Sequence, residues 1–161
     1  MATTAYAKPT TTSNNEAAQG WTHEAVITWE DFLSSKIGTI ADSTAHTYTL
    51  AIPAGSVVTD FSAELVTDFT DSGSGDELNL IVGDGDDDNG YLTDFQLHAS
   101  GTPVTVKQVN TGALIATASK AYAAADTIDL KFTPDQSTGT AYSVNELTAG
   151  EIKFRWRMIT A

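Results

Sequence analysis

The chain has 161 residues, no cysteine and a net charge of −13, and 41% of its residues are hydrophobic. This length suits one domain with a real core, and the lack of cysteine excludes disulfides, cysteine-ligated zinc and thiol nucleophiles. The negative charge disfavours nucleic acid as a partner, and no apolar run approaches the roughly 18 residues of a membrane-spanning helix. The first residues show no secretory pattern, so we expect synthesis in a cytoplasm.

Residues 1–20 are rich in Thr, Ala, Asn and Ser and contain few apolar residues. Such a segment buries too little surface to offset the ~1–2 kcal/mol per residue that ordering a backbone costs. We therefore predict an extended N-terminal arm over residues 1–20 and a single domain over residues 21–161. Either a partner or the domain itself holds the arm, and Tyr6, Lys8 and Pro9 are its candidate partner-binding residues.

Alternating apolar residues predict a series of short strands from Trp21 onward. The residues predicted to share a face in each strand are Ala25, Ile27 and Trp29; His46, Tyr48, Leu50 and Ile52; Thr59, Phe61, Ala63 and Leu65; Leu78, Leu80 and Val82; Ile128, Leu130 and Phe132; and Phe154, Trp156 and Met158. Val104 and Val106 mark a further strand, and Ala113–Ala118 is a candidate for one more. Helical signal is confined to a turn over Asp31–Ile37 and the short Ala-rich stretch Ala121–Asp126. Seven or eight strands separated by turns predict an all-β fold, either a jelly roll or an antiparallel β-sandwich.

The sharpest local pattern is the acidic run over residues 84–90, Asp-Gly-Asp-Asp-Asp-Asn-Gly. Asp84, Asp86 and Asp88 have the one-three-five spacing of oxygen ligands in calcium loops. The run departs from such loops because Gly90 comes one residue late and Phe95 stands where a bidentate Glu is needed. Two interpretations stay open: a weak calcium site, with no other cofactor expected, or a turn whose side chains bond their own backbone.

The basic residues near the C-terminus form a second pattern. Between Lys36 and Lys107 there is no Lys or Arg, whereas Lys153, Arg155 and Arg157 crowd into one predicted strand. Alternation puts these three cations on its outward face, which makes them candidates for partner binding. The alternatives are pairing with an acid on an adjacent strand, such as Asp129, or protection of a sheet edge.

Residue types typical of active sites are scattered. His23, His46 and His98 lie far apart, and His46 falls on an apolar face, which indicates a satisfied core or edge histidine. Trp29 and Trp156 share faces with apolar residues, which favours core packing over a sugar-stacking platform. The chain has no phosphate loop, no dinucleotide fingerprint and no nucleophile elbow, so we expect no enzymatic activity and no catalytic residues.

Three stretches carry a resemblance to a known family: Ile52–Asp60, the hairpin from Val82–Gly85 through Asn89–Leu92, and the C-terminal strand. From about residue 45 to 160, the chain is similar in style to small β-rich virion proteins of tailed bacteriophages, and the N-terminal arm also fits this family. In particular, the chain resembles the jelly-roll cement or decoration proteins of phage heads.

The resemblance implies a non-enzymatic structural protein on the outer capsid surface, often a homotrimer, whose arms tie neighbouring major capsid subunits together. Neither nucleic acid nor a membrane is expected as a partner. Two alternatives stay open. One is a phage tail or fibre component that binds a host surface through an exposed aromatic or Asp-rich tip. The other is a calcium-dependent carbohydrate-binding module, which would melt at a higher temperature with calcium bound.

Overall fold

The structure, a computed structural model, describes residues 2–5, 20–71, 77–99, 108–109, 119–135 and 140–160. The strands in these ranges are β1 Ala2–Ala5, β2 His23–Thr28, β3 His46–Ile52, β4 Ser56–Asp71, β5 Glu77–Gly83, β6 Leu92–Ala99, β7 Gln108–Val109, β8 Lys120–Tyr122, β9 Asp126–Asp135 and β10 Leu147–Thr160. Short 3₁₀ helices cover Trp29–Phe32 and Val144–Glu146, and a single α-helical turn covers Ser34–Ile37. No helix in the described ranges is long and apolar enough to cross a membrane.

Two antiparallel sheets of four strands each make up the body of the fold. The first has the order β3-β9-β5-β6 and the second the order β2-β10-β4-β8; β1 extends the first sheet beside β3, and β7 also pairs with β4. Within the eight strands, first pairs with last, second with second-last, and so on inward to the β5–β6 pair. The chain is thus one long hairpin rolled into two layers, which is the jelly-roll topology, and the predicted all-β class is confirmed.

The core lies between the two sheets, where alternate residues of each strand point inward. The predicted inward residues that are buried are Ala25, Ile27, His46, Tyr48, Leu50, Ile52, Phe61, Ala63, Leu65, Leu78, Leu80, Val82, Ile128, Leu130, Phe132, Phe154, Trp156 and Met158. Burying one such large apolar side chain contributes about 1.5–3 kcal/mol. The period-two pattern therefore identified most of the side chains that hold the sheets together.

Several predictions of local structure were wrong or lie outside the described residues. Trp29 does not continue β2: it begins a 3₁₀ helix, where it is partly buried and packs against the core as predicted. Thr59 is half-buried because a register shift on β4 turns Val58 inward instead. The Ala-rich stretch is not helical, since β8 and the start of β9 occupy it. Val104, Val106 and Ala113–Ala118 lie outside the described residues.

Part of the core is an aromatic cluster centred on Phe32. Its ring packs edge-on against Tyr48, Phe132 and Phe69, with centroids 4.9–6.2 Å away. The 3₁₀ helix that carries Phe32 is fixed at both ends: the backbone N–H of Thr28 donates to the Asp31 carboxylate at 2.9 Å, and the Tyr48 hydroxyl donates to the Asp31 carbonyl at 2.7 Å. The predicted helical turn over Asp31–Ile37 is therefore confirmed in position and is anchored to β3.

His46 lies fully buried in this cluster, edge-on to Phe32 and Tyr48. The prediction of a core histidine is confirmed, but the ring is not satisfied, because neither nitrogen has a hydrogen-bond partner among the described residues. Burial lowers the pKa of His46 below its ordinary value of 6.5. The folded chain therefore favours the neutral ring.

This burial predicts a loss of stability in mild acid. The unfolded chain takes up the His46 proton near pH 6.5 while the folded chain resists it, so the free energy of unfolding decreases as pH drops below that value. We expect His46→Phe, which keeps an aromatic ring in the cluster, to lose less melting temperature than the natural chain between pH 7.5 and 5.5. Thermal melts at the two pH values measure this, and an equal loss in both proteins would contradict it.

Candidate binding surface

The basic row predicted for partner binding lies at the middle of the second sheet. β10 pairs with β2 on one side and with β4 on the other. Protection of a sheet edge by Lys153, Arg155 and Arg157 is therefore a wrong interpretation. Their side chains lie on the outward face, as alternation predicted, because Phe154, Trp156 and Met158 are buried between the sheets.

The cations of this row have acidic partners on the flanking strands. Arg155 Nη1 lies 2.7 Å from the Glu64 carboxylate on β4, and Arg155 Nε lies 3.4 Å from the Glu24 carboxylate on β2. Lys153 also contacts Glu24, at 3.8 Å. Asp129, the predicted partner, lies on β9 in the other sheet. The outward face thus carries a lattice of alternating charges that links three strands.

Arg157 joins the end of the arm to this face. Its Nε donates to the carbonyl of Gly20 at 2.8 Å, and its guanidinium lies 5.9 Å from the centre of the Trp21 ring. Gly20 has φ +85°, and a Cβ there would come within 2.6 Å of the guanidinium. A glycine at this position therefore lets the chain approach Arg157 closely.

The other described end of the arm lies on the first sheet. Ala2–Ala5 forms β1, which pairs in parallel with β3 in the register Ala2 to His46 through Ala5 to Thr49. The two ends of the arm are therefore attached to different sheets. Tyr6, Lys8 and Pro9 lie outside the described residues.

The acidic run between β5 and β6 folds around the buried carboxylate of Asp84. One of its oxygens accepts from the backbone N–H groups of Asp86 and Asp87, both at 3.0 Å. The other accepts from the Tyr122 hydroxyl at 2.7 Å and lies 3.5 Å from the Lys120 ammonium. Bonding of the turn to its own backbone, one of the two interpretations of this run, is thus observed at Asp84.

The neighbouring acids contact lysines on other strands. Asp86 lies 3.0 Å from Lys120, and Asp88 lies 3.8 Å from Lys131. Within the described ranges, no group of three or more His, Asp or Glu side chains is arranged to hold a metal. Calcium binding by Asp84, Asp86 and Asp88 stays a prediction.

A chain of hydroxyl groups extends from Asp84 into the core. Burial raises the pKa of Tyr91 to about 12, and burial together with its hydroxyl and carboxylate neighbours raises the pKa of Tyr122 far above its usual range. Both groups therefore stay protonated. Because Tyr122 donates to Asp84, the contact between the two hydroxyls has Tyr91 as the donor. This network fastens the acidic run to β8.

A groove of about 340 Å³ opens at one end of the outward face of the second sheet. Its lining residues are Thr28, Trp29, Glu30, Thr67, Ala149, Gly150 and Glu151. The groove lies where the register of β10 against β4 shifts repeatedly between Leu147 and Ile152, and such bulges redirect side chains. Alternation of apolar residues placed Trp29 in the core, and no pattern in the sequence singled out Glu30 or Glu151. The available signal was an acidic residue directly after a tryptophan at the end of a strand.

The chain was compared with models of known protein families, with curated proteins and with solved structures. None of the three comparisons gives a match.

Proposed function

We propose that this chain is a non-enzymatic virion structural protein that binds the outer surface of a phage head and bridges major capsid subunits. Its topology supports the proposal, because jelly rolls recur among viral capsid and lectin domains. The stretches that carry the resemblance also occupy defined places: Ile52–Asp60 covers the end of β3, the turn and the first residues of β4, and Val82–Leu92 joins β5 to β6.

The pairing of β1 with β3 is the observation that carries the proposal. β1 is a four-residue edge strand, and it is attached to the first sheet by its pairing with β3. Main-chain hydrogen bonds at a sheet edge accept an extended strand from any chain, as in β-augmentation. Each such bond contributes only about 0.5–1.5 kcal/mol net. A strand this short is therefore exchangeable between its own domain and a neighbouring subunit.

In the proposed mechanism the arm leaves β3 and docks on a neighbouring major capsid subunit. The domain stays in place through its own contacts, so each molecule bridges two sites. A homo-oligomer, a trimer in the proteins that the chain resembles, multiplies these weak contacts by avidity. A head held by many such bridges resists the outward pressure of packed DNA.

A disulfide that locks β1 onto β3 tests the mechanism. Ala5 and Thr49 are register partners, and strands about 4.8 Å apart satisfy the Cα separation of a disulfide. We expect oxidised Ala5→Cys/Thr49→Cys to bind undecorated heads at least about tenfold more weakly than the natural chain, because avidity is lost when the arm cannot engage. Sedimentation of fluorescently labelled protein with purified heads measures the binding.

The reduced form of the same variant is the matched control, and it should bind like the natural chain because its arm is free to leave β3. The natural chain contains no cysteine, so oxidation joins only the two introduced residues. Deletion of residues 1–20 should weaken binding as much as oxidation does. Equal binding of the oxidised and reduced forms would overturn the exchange of β1. Failure of the natural chain to bind heads would overturn the cement function itself, and the glycan-binding alternatives would then be tested with calcium and with chelator.

A further inference from the structure

The groove at the end of the second sheet combines an aromatic ring with two carboxylates. Trp29 is partly buried and lines it from the 3₁₀ helix after β2. Glu30 follows Trp29 and is exposed, whereas Glu151 comes from β10 and is half-buried. Glu151 is the register partner of both Thr28 and Thr67. Three strands and one helix thus bring the lining together.

Among the described residues, Glu30 and Glu151 lack the ion pairs that other acidic residues of this face form. Farther along the sheet, Glu24 and Glu64 contact Arg155 within 3.4 Å. Glu30 and Glu151 form no ion pair with any residue in the described part of the chain. Two acceptor groups at a groove wall therefore remain available to a ligand.

The chemistry of the lining selects one class of ligand. An anion would be repelled by both carboxylates. A sugar needs several donors as well as acceptors, and the side chains of the lining offer few: the Trp29 indole N–H and two threonine hydroxyls, of which that of Thr28 already donates to Asp31. A cation needs only acceptors and a π face, and an ammonium or guanidinium over a tryptophan ring is attracted by about 0.5–2 kcal/mol before any ion pair is counted.

We propose that this groove binds one lysine or arginine side chain of a protein partner, with the cation against Trp29 and between Glu30 and Glu151. The site is independent of the arm and does not rest on the cement function. If the chain is a cement protein, the groove supplies a second point of contact, to a basic residue of the capsid subunit. The domain is then held on one subunit by the groove, while the arm, released from β3, docks on a neighbouring subunit.

Titration monitored by NMR tests the site. The chain has three tryptophans, so Trp29→Phe assigns the Trp29 indole N–H signal in the ¹⁵N-labelled protein. We expect N-acetyl-arginine amide and N-acetyl-lysine amide to shift this signal saturably. The neutral isostere N-acetyl-citrulline amide should not shift it. Raising the salt concentration should weaken binding, because the carboxylates of the groove are open to solvent.

Charge-removing variants localise the effect. Glu151→Gln and Glu30→Gln should each weaken binding at least about fivefold, because each removes one partner of the cation. Asp94→Asn is the matched control: it removes the same charge from an exposed residue of β6 in the other sheet, at φ +32°, which Asn tolerates. This variant should bind like the natural chain.

Several results would overturn the proposal. These are no saturable shift with either cation, an equal shift with the citrulline derivative, or equal weakening by Asp94→Asn. The groove would be reassigned to sugar or metal if methyl glucoside or calcium chloride shifted the Trp29 signal saturably while the arginine and lysine derivatives did not. None of these outcomes depends on heads, so failure of the groove is distinguishable from failure of the cement function.

Discussion

Asp84→Ala is expected to destabilise the chain by about 3–5 kcal/mol, because it removes a buried carboxylate whose hydrogen bonds each contribute about 1.5–3 kcal/mol before relaxation. The carboxylate accepts from Tyr122 and from the backbone N–H groups of Asp86 and Asp87, and all three donors lose their partner in the variant. The Tyr122 hydroxyl is the buried donor of the three, and leaving it unsatisfied costs about 1–3 kcal/mol before relaxation. Urea unfolding followed by circular dichroism measures the change.

Asp86→Ala is the matched control for this prediction. Asp86 contacts the same Lys120, but its side chain is 79% exposed whereas that of Asp84 is fully buried. Exposed ion pairs contribute about 0–1 kcal/mol, so Asp86→Ala should lower the free energy of unfolding by no more than about 1 kcal/mol. Similar losses in the two variants would show that the lysine contact, and not the buried network, stabilises the acidic run.

The same network predicts a dependence on pH in strong acid. Burial raises the pKa of Asp84, but the hydrogen bonds from Tyr122 and the backbone, with the charge of Lys120, outweigh it and leave the pKa below its ordinary value. The stability that depends on this charge is therefore complete above about pH 4 and is lost as pH falls through the lowered pKa. Asp84→Ala should accordingly lose less stability than the natural chain below pH 4.

Gly150→Ala should cost about 2–6 kcal/mol, since it combines backbone strain with overpacking, each of which costs roughly 1–3 kcal/mol. Gly150 has φ +131°, and a Cβ there would lie 2.2 Å from the Phe69 ring and 2.8 Å from the Phe69 Cα. Because one of these contacts is to backbone, a side-chain rotation does not relieve the clash. We expect thermal melts to show a large drop in the melting temperature of Gly150→Ala.

Gly38→Ala separates the two causes. Gly38 also has a positive φ, +78°, but a Cβ there would meet nothing within 4 Å. With ψ 178°, Gly38 lies in a backbone region that is essentially confined to glycine, so Gly38→Ala should cost only that strain, roughly 1–3 kcal/mol. If Gly150→Ala costs no more than Gly38→Ala, the contact with Phe69 does not constrain the β10 bulge.

The sequence predicted the sandwich because its strands follow one simple rule, alternation between two faces. β3, β5 and β9 obey it without interruption, and their inward residues are all buried. Strand β6 was missed, since Asp94 at φ +32° and a register shift interrupt its pattern before Phe95 and Leu97. Bulges and pairing partners depend on strands that are distant in sequence, so the alternation of apolar residues within one strand does not predict them.

The candidate sites were less accessible to sequence reasoning, for a related reason. Alternation placed Lys153, Arg155 and Arg157 on the outward face but did not show that Glu24 and Glu64 flank them, because both pairings join opposite parts of the chain. The acidic run was found from local spacing, whereas its partners Lys120 and Tyr122 come from β8. Local chemistry was therefore predictable, and the neighbours that modify it were not.

The rolled-hairpin topology also favours one order of strand pairing during folding. β5 and β6 close a short loop, and each following pair closes a longer one around it, ending with β2 on β10. Loop-closure entropy favours this order, and a fold dominated by distant pairings folds in milliseconds to seconds rather than microseconds. β10, the centre of the second sheet, is the last of these strands to leave the ribosome. Until it emerges, β2 and β4 expose unpaired edges, so the nascent chain is most prone to aggregate just before its final strand arrives.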